Sequence, residues 1–147
     1  MISVNVRLDD SILFIGINRP SRKNCVNHET AKELVAAFNR FNNNPDVKIG
    51  ILYGEGNTFC AGYDLSEVSN LDTTSFDEQF PHKYRYMVGK RKRITRYFQP
   101  PEEWKAKGPS IMELKKPLIA AVEGYAVAGG LELSLMGKFL QLFFRFM

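Results

Sequence analysis

The sequence predicts an α/β protein, and three local patterns support that fold class. At residues 2–8 apolar and polar residues alternate, which is typical of a strand with one buried face. At residues 31–41 apolar residues recur at helical spacing, and residues 48–53 form a short apolar run of the kind found in buried strands. With a second strand at residues 12–17, the predicted order is strand, strand, helix, strand.

The chain is predicted to open with a β-hairpin. Residues 9–11, which read Asp-Asp-Ser, are common in turns and separate the first strand from the second. Pro20 ends the second strand, because proline has no N–H to donate to a neighbouring strand.

The first helix has recognisable ends. Asn27 and Thr30 are alternative N-caps, and Thr30 with Glu33 fits a capping box. Residues 42–45, three asparagines and a proline, end the helix. Residues 48–53 then form a third strand that is predicted to be covered on both faces.

The elements predicted after the third strand are shorter. Residues 57–69 are predicted to form a turn that runs into a short helix. Residues 118–122 form a buried strand, a turn of small residues follows, and residues 131–136 begin a helix. Residues 137–147 are interpreted as a separate apolar tail, non-homologous to the domain predicted across residues 1–136.

Composition limits the classes of protein and partner. A chain of 147 residues with 44% hydrophobic and 24% charged residues is expected to form one globular domain. The net charge of +4 suits an anionic ligand, but by itself it is too small to indicate nucleic acid, and no nucleic-acid partner is expected. No apolar run approaches the roughly 18 residues of a membrane span. No signal peptide is predicted, so the localisation is cytoplasmic by default, with mitochondria and peroxisomes left open.

The basic region, the cysteines and the histidines are weaker indications of a binding site or a metal site. Residues 70–107 are interpreted as a variable, inserted region, and the basic stretch at 83–105 is read as a solvated insert rather than as a binding surface. Cys25 and Cys60 lack the spacing of a metal site, and Cys60 is expected to be a small buried hydrophobe. Two isolated histidines, at 28 and 82, do not predict a metal site.

Two segments are predicted to carry chemistry. Residues 59–65 read FCAGYDL, and residues 123–133 read EGYAVAGGLEL; each places small residues in a turn that leads into a helix. Small residues let a ligand approach the backbone closely, and helix starts present unpaired N–H groups. The N–H groups of Tyr63 and Gly129 are the predicted donors of an oxyanion hole, and Glu132 follows one helical turn after Gly129.

Each segment alone also has a purely structural interpretation. A Gly-Gly turn before a helix more often reflects close packing than a ligand site. A glutamate on a helix is usually a solvated surface residue. The functional interpretation depends on both segments occurring in this order, each after a predicted strand.

The combination resembles the crotonase, or enoyl-CoA hydratase/isomerase, superfamily. The opening motif is residues 17–24 (INRPSRKN), and residues 59–65 and 116–133 resemble the two oxyanion-hole loops. The resemblance implies a spiral of strand-strand-helix units, a trimer or paired trimers, an acyl-CoA thioester as substrate and no metal or redox cofactor. Because the catalytic domain of the family is longer than this chain, a truncated, N-terminal portion of that fold is expected.

The resemblance also implies residue roles. Tyr63 and Gly129 would supply the oxyanion N–H groups, and Glu132 would be the catalytic glutamate. The coenzyme A moiety would lie along Arg22, Lys23, Cys25, Ala61, Gly62, Asp64, Leu65 and Gly130. Hydratases use a second glutamate that the family carries further along, so double-bond isomerisation is easier to support here than hydration. The alternative is a catalytically inactive fragment, or an interaction partner of full-length relatives.

Overall fold

A computed structural model describes residues 2–67 and 109–143 of the chain. Its strands and helices are, in chain order, β1 (Val4–Asp9), β2 (Ile12–Ile17), α1 (His28–Asn43), β3 (Ile49–Gly54), β4 (Leu118–Glu123), α2 (Gly129–Ser134) and β5 (Phe139–Phe143). Short 3-10 turns span Pro20–Arg22, Leu65–Glu67 and Pro109–Ile111.

The amino-terminal hairpin is confirmed. β1 and β2 pair antiparallel, with Val4 opposite Ile17 and Asp9 opposite Ile12. Asp10 adopts a φ of 50° in the connecting turn, a backbone region that aspartate tolerates better than most residues.

Helix α1 begins directly after Asn27, one of the two residues predicted as alternative N-caps. The Asn27 side chain accepts a hydrogen bond from the Thr30 N–H at 2.9 Å, so Asn27 is the N-cap. The capping box of Thr30 and Glu33 is wrong: one carboxylate oxygen of Glu33 instead accepts from the N–H groups of Ser3 at 2.9 Å and Val4 at 2.8 Å. The longer-range contact prevails because it satisfies two backbone donors at the start of β1.

The five strands form one sheet in the order β1-β2-β3-β4-β5, and every pair after the first hairpin is parallel. Strand β5 was not predicted. Within residues 137–147, interpreted as a separate tail, Phe139–Phe143 pairs with β4, and Phe139 lies opposite Ile119. Among the described residues, β5 pairs with the edge of β4, a partner that the local pattern of residues 137–147 does not reveal. The tail's lack of homology stays a prediction.

The core lies between α1 and one face of the sheet. Gly50 makes room for the helix, because a Cβ there would lie 2.8 Å from the Phe41 ring. The prediction that β3 is covered on both faces is wrong for the described part of the chain: Leu52 is fully buried but Ile49 is 37% exposed. The largest fully buried side chains are Phe38, Phe41, Phe59, Leu13, Ile15, Ile17, Leu34, Leu52, Leu118, Leu133 and Val26.

The remaining helices differ slightly from the prediction. Helix α2 begins two residues earlier than expected, at Gly129, and ends at Ser134. Of the short helix predicted within residues 57–69, the described part contains the 3-10 turn Leu65–Glu67. Across residues 2–67 and 109–143, no helix combines the length and hydropathy needed to cross a membrane.

Candidate functional site

Three loops meet at the edge of the sheet where the parallel strands β2, β3 and β4 end. They span residues 18–27, 55–64 and 124–128. Parallel strands point the same way, so their carboxyl ends lie side by side, and open α/β sheets bind ligands at such an edge. All the predicted site residues lie in these loops or directly after them.

The second and third loops are joined through their backbones. The Phe59 N–H donates to the Glu123 carbonyl at 2.7 Å. Cys60 donates to the Tyr125 carbonyl at 2.9 Å and accepts from the Val127 N–H at 3.2 Å. The two segments predicted to carry chemistry are therefore in direct contact, although the bonded residues lie more than 60 positions apart in the chain.

Glycines make this contact possible. Gly62 has a φ of 92°, and a Cβ built on it would lie 3.1 Å from the Ala128 Cβ and 3.4 Å from the Gly129 nitrogen. A Cβ on Gly130 would lie 2.2 Å from the Cys60 carbonyl oxygen. Real Cβ atoms do not approach other atoms that closely, so Gly130 lets the start of α2 reach the other loop.

The Tyr63 backbone is held by the first loop. The Val26 N–H donates to the Gly62 carbonyl at 2.8 Å, and the Asp64 N–H donates to the Val26 carbonyl at 3.0 Å. In this parallel pairing, the N–H of the central residue, Tyr63, points away from Val26. The Tyr63 hydroxyl donates to the Glu67 carboxylate, which anchors the ring.

The second predicted donor is the N–H of Gly129, the first residue of α2 and a buried one. It donates no hydrogen bond to any of the described residues. Ala128 precedes it with φ 49° and ψ −123°, a region that a residue with a Cβ rarely occupies. Such strain costs roughly 1–3 kcal/mol and clusters at functional sites. Here it sets the orientation of the peptide that carries the Gly129 N–H.

Glu132 lies on the first turn of α2 with an exposed side chain. Its N–H donates to the Ala128 carbonyl at 3.2 Å, which places it one turn after the Gly129 amide. The Ser110 hydroxyl donates to its carboxylate oxygen Oε2 at 3.1 Å. A carboxylate in this position can accept a proton from a molecule bound at the start of α2.

The predicted coenzyme A residues border the same edge. The Ala61 N–H donates to the Lys23 carbonyl at 3.0 Å, which joins the first and second loops. The Lys23 ammonium lies 5.6 Å from the centroid of the Tyr125 ring in the third loop. Arg22 is exposed beside it, and Leu65 is 75% exposed at the far end of the second loop.

Asp64 differs from the other predicted contact residues, because its side chain is occupied within the protein. The carboxylate is 5% exposed, lies 2.8 Å from the Arg19 guanidinium and accepts from the Ser66 hydroxyl at 2.7 Å. Burial alone would raise the pKa of Asp64, but the hydrogen bonds from Ser66 and Arg19 outweigh it and lower that pKa to about 2. The Asp64 carboxylate is therefore charged at neutral pH.

Sequence reasoning placed Arg19 and Asn24 in the opening motif, and Asn24 in the stretch along coenzyme A, but it did not predict that their side chains hold these loops together. Asn24 is completely buried, and its side-chain amide donates to the carbonyls of Glu55 at 2.8 Å and Thr58 at 2.5 Å. Its side-chain oxygen accepts from the Arg19 N–H at 2.8 Å. Both residues belong to the INRPSRKN motif, and that motif was the only signal that could have identified them.

The two thiols are poor nucleophiles. Burial raises the pKa of Cys60 to about 12, as expected for a small buried hydrophobe. Burial and the neighbouring Asp64 carboxylate also raise the pKa of Cys25, which is half-buried, with its sulfur 3.6 Å from the Arg19 guanidinium.

The metal-ligating residue types do not gather in the described part of the chain. Across residues 2–67 and 109–143, no three His, Cys, Asp or Glu side chains are arranged to hold a metal ion. The His28 N–H donates to the Glu67 carboxylate at 3.1 Å, at the start of α1. His82, the variable region predicted at 70–107 and the basic stretch within it at 83–105 all lie outside the described residues.

Known proteins are similar to this chain in sequence and in fold. Residues 7–94 match the family described as enoyl-CoA hydratase/isomerase. The chain is 32% identical over 125 residues to the peroxisomal Delta(3,5)-Delta(2,4)-dienoyl-CoA isomerase of Arabidopsis thaliana, covering 85% of this chain and 42% of that protein. It is 33% identical over 124 residues to the enoyl-CoA hydratase EchA19 of Mycobacterium tuberculosis, covering 82% and 39% respectively.

A solved structure extends the likeness to three dimensions. The enoyl-CoA hydratase EchA1 from Mycobacterium marinum matches with a TM-score of 0.70 at 34% identity, over 95% of this chain and 45% of that one. The predicted fold class is thereby confirmed. The chain spans about two fifths of the length of the curated relatives that it matches.

Proposed function

Because the chain belongs to the enoyl-CoA hydratase/isomerase family, we propose that it binds an acyl-CoA thioester and stabilises the enolate of that thioester. The observation that carries the proposal is the contact between the two glycine loops. It brings the backbone at Tyr63 and Gly129 together at the edge of the sheet. The relatives named above act on enoyl-CoA or dienoyl-CoA, and both are thioesters of coenzyme A.

The proposed oxyanion hole consists of the N–H groups of Tyr63 and Gly129. When the α carbon of a thioester loses a proton, negative charge develops on the carbonyl oxygen. Two N–H groups already oriented towards that oxygen stabilise the charge without reorganisation, and removing one such donor typically slows a reaction by about 10²–10³-fold. The strained Ala128 peptide supports this role, since it holds the Gly129 N–H in one orientation.

Glu132 is the proposed acid and base. Its carboxylate would remove the α proton and return it to the substrate, a contribution of roughly 10²–10⁴-fold in rate. Isomerisation of a double bond needs only this shuttle, whereas hydration also needs a group that activates water. Each reaction would form an enolate of the thioester: isomerisation by loss of a proton, and hydration by addition of water at the β carbon followed by protonation of the α carbon. The same two N–H groups would stabilise the negative oxygen in either case.

Coenzyme A would extend from this point along the first and second loops. Arg22 and Lys23 present exposed positive charge that suits its phosphates. Cys25, Ala61, Gly62, Leu65 and Gly130 would border it, while Asp64 would contribute through its backbone. Coenzyme A enters as part of the substrate, and assembly into trimers or paired trimers remains a prediction.

A second candidate is a catalytically inactive protein that associates with its relatives. Large apolar side chains on α2, at the residue that ends it and on β5 are exposed, and exposed apolar surface favours association. These residues are Leu131 at 47%, Leu135 at 64%, Phe139 at 63% and Leu142 at 46% exposure.

Calorimetric titration with coenzyme A and with a short enoyl-CoA tests the proposal. We expect wild type to bind the thioester more tightly than coenzyme A, and Gly129→Pro to lose that difference because it lacks the N–H. Proline is tolerated in the first turn of a helix, but Ala128 does not have the backbone conformation that usually precedes proline. Circular dichroism must therefore show that the variant is folded.

Turnover separates the two candidates. Glu132→Gln should bind the thioester and lose turnover, while Glu113→Gln, a change at another exposed glutamate, should behave like wild type. Tight thioester binding by wild type without turnover would favour the inactive candidate. A well-folded wild type that binds no thioester would overturn the proposal.

A further inference from the structure

The Arg19 guanidinium bridges two of the three loops. One nitrogen, Nη1, donates to the Cys25 carbonyl at 2.6 Å in the first loop. The other, Nη2, lies 2.8 Å from the Asp64 carboxylate in the second loop. The side chains of this pair are only 18% and 6% exposed, so water screens the interaction weakly.

This bridge lies directly beside a proposed oxyanion donor. Asp64 follows Tyr63, and the bonds of Val26 to Gly62 and to Asp64 hold the two peptides on either side of Tyr63. Cys25, whose carbonyl accepts a hydrogen bond from Arg19, precedes Val26 in the chain. The guanidinium therefore holds Cys25 and Asp64, the neighbours of Val26 and Tyr63. In this way it stabilises the backbone pairing of Val26 with Tyr63 that orients the Tyr63 N–H.

The pair also has an electrostatic consequence. Asp64 is charged, and a negative charge next to an oxyanion hole would oppose the negative charge that forms on the thioester oxygen. The Arg19 cation, whose side chain is 18% exposed, compensates the carboxylate at 2.8 Å. The other titratable group among the described residues that acts on Asp64 is the Cys25 thiol, which is neutral.

We propose that Arg19 is a positioning residue: it orients the Tyr63 N–H by clamping the first two loops and neutralises Asp64 where the enolate forms. This inference rests on the proposed function, because the enolate is part of it. Arg19 itself need not touch the substrate.

The test uses Arg19→Met, Asp64→Asn and the double variant Arg19→Met/Asp64→Asn. Arg7→Met is the matched control, because Arg7 forms the same kind of ion pair with Asp9 at 2.6 Å but on the surface, where both side chains are more than 60% exposed. The first readout is exchange of the α proton of an acyl-CoA for deuterium. The second is the titration of the Asp64 carboxyl, followed by carbon NMR together with the amide signal of Tyr63.

We expect Arg19→Met to slow exchange at saturating substrate by about 10–10²-fold. This is less than the roughly 10²–10³-fold cost of losing one oxyanion donor, because the Tyr63 N–H stays present but loses its fixed orientation. The double variant should recover part of that rate, because it removes the uncompensated charge. The rate of Arg19→Met relative to the double variant should also rise as the pH falls and Asp64 becomes protonated. A purely structural role for Arg19 would produce neither the recovery nor this pH dependence.

The two proposals fail differently. If wild type exchanges and Arg19→Met matches Arg7→Met, the inference about Arg19 is overturned and the proposed function stands. If wild type does not exchange the α proton of the acyl-CoA for deuterium, the proposed function fails. The NMR readout then tests whether Arg19 holds Asp64 and orients the Tyr63 amide. A raised Asp64 pKa with a shifted Tyr63 amide in Arg19→Met then supports the clamp, and unchanged signals overturn it.

Discussion

Gly62 lies so close to Ala128 that a Cβ on the glycine would stand 3.1 Å from the alanine Cβ. These residues belong to loops that follow different strands, β3 and β4, and their contact brings the two proposed oxyanion donors together. The absence of one side chain at this point is therefore a condition for the site.

Gly62→Ala is expected to weaken thioester binding and to destabilise the fold by about 1–2 kcal/mol, the usual cost of forcing an L-residue into a left-handed conformation. Gly56→Ala is the matched control, because Gly56 also has a positive φ of 78° but is exposed and meets only Pro20, at 3.3 Å. Denaturant unfolding and calorimetric titration of both variants provide the comparison. Equal thioester affinity in the two variants would contradict a role for the close loop contact.

Stability should fall in acid through Asp64. Its pKa of about 2 in the folded protein lies below its ordinary value of 3.8, so the folded state binds fewer protons than the unfolded state. The resulting stabilisation, about 2 kcal/mol, is fully present above pH 4 and is lost as the pH falls towards 2. Urea unfolding of wild type and Asp64→Asn between pH 2 and pH 7 measures it. Parallel pH profiles for the two proteins would show that Asp64 makes no such contribution.

Cys60 should resist alkylation in the folded protein. It is completely buried, its pKa is about 12, and only the thiolate reacts with iodoacetamide. Mass spectrometry after treatment at pH 8 should find Cys60 unmodified without denaturant and modified in urea. Cys25 is half-buried with a raised pKa and should react slowly but ahead of Cys60. Rapid native modification of Cys60 would contradict the buried position.

Phe38→Ala should destabilise the protein by about 3–5 kcal/mol, because this fully buried ring fills the interface between α1 and the sheet. Phe139→Ala removes an equal ring that is 63% exposed on β5, and should cost no more than about 1 kcal/mol. Chemical denaturation gives both values. Similar costs would mean that the ring on β5 is covered in solution, which is the outcome that association through this surface predicts.

Periodicity and turn residues alone determined most of the elements that surround the site. The hairpin, α1, β3 and β4 were predicted within one to three residues at each end, because alternation and helical spacing report locally which face of an element is buried. The glycine loops and Glu132 were identified from motif and order. Burial periodicity, turn residues and motifs are patterns within a few consecutive residues, so a short window of sequence contains them.

Only the tertiary structure decided which partners meet. Strand β5 exists because the edge of β4 is free to pair with it, and Glu33 binds the start of β1 instead of capping its own helix. The Asp64 carboxylate is paired with Arg19, 45 residues earlier in the chain, a partner that no local pattern indicates. Local patterns show that a residue is buried or charged. The free energy of a contact also depends on the partner group, and residues far apart in the chain become partners only when the chain folds.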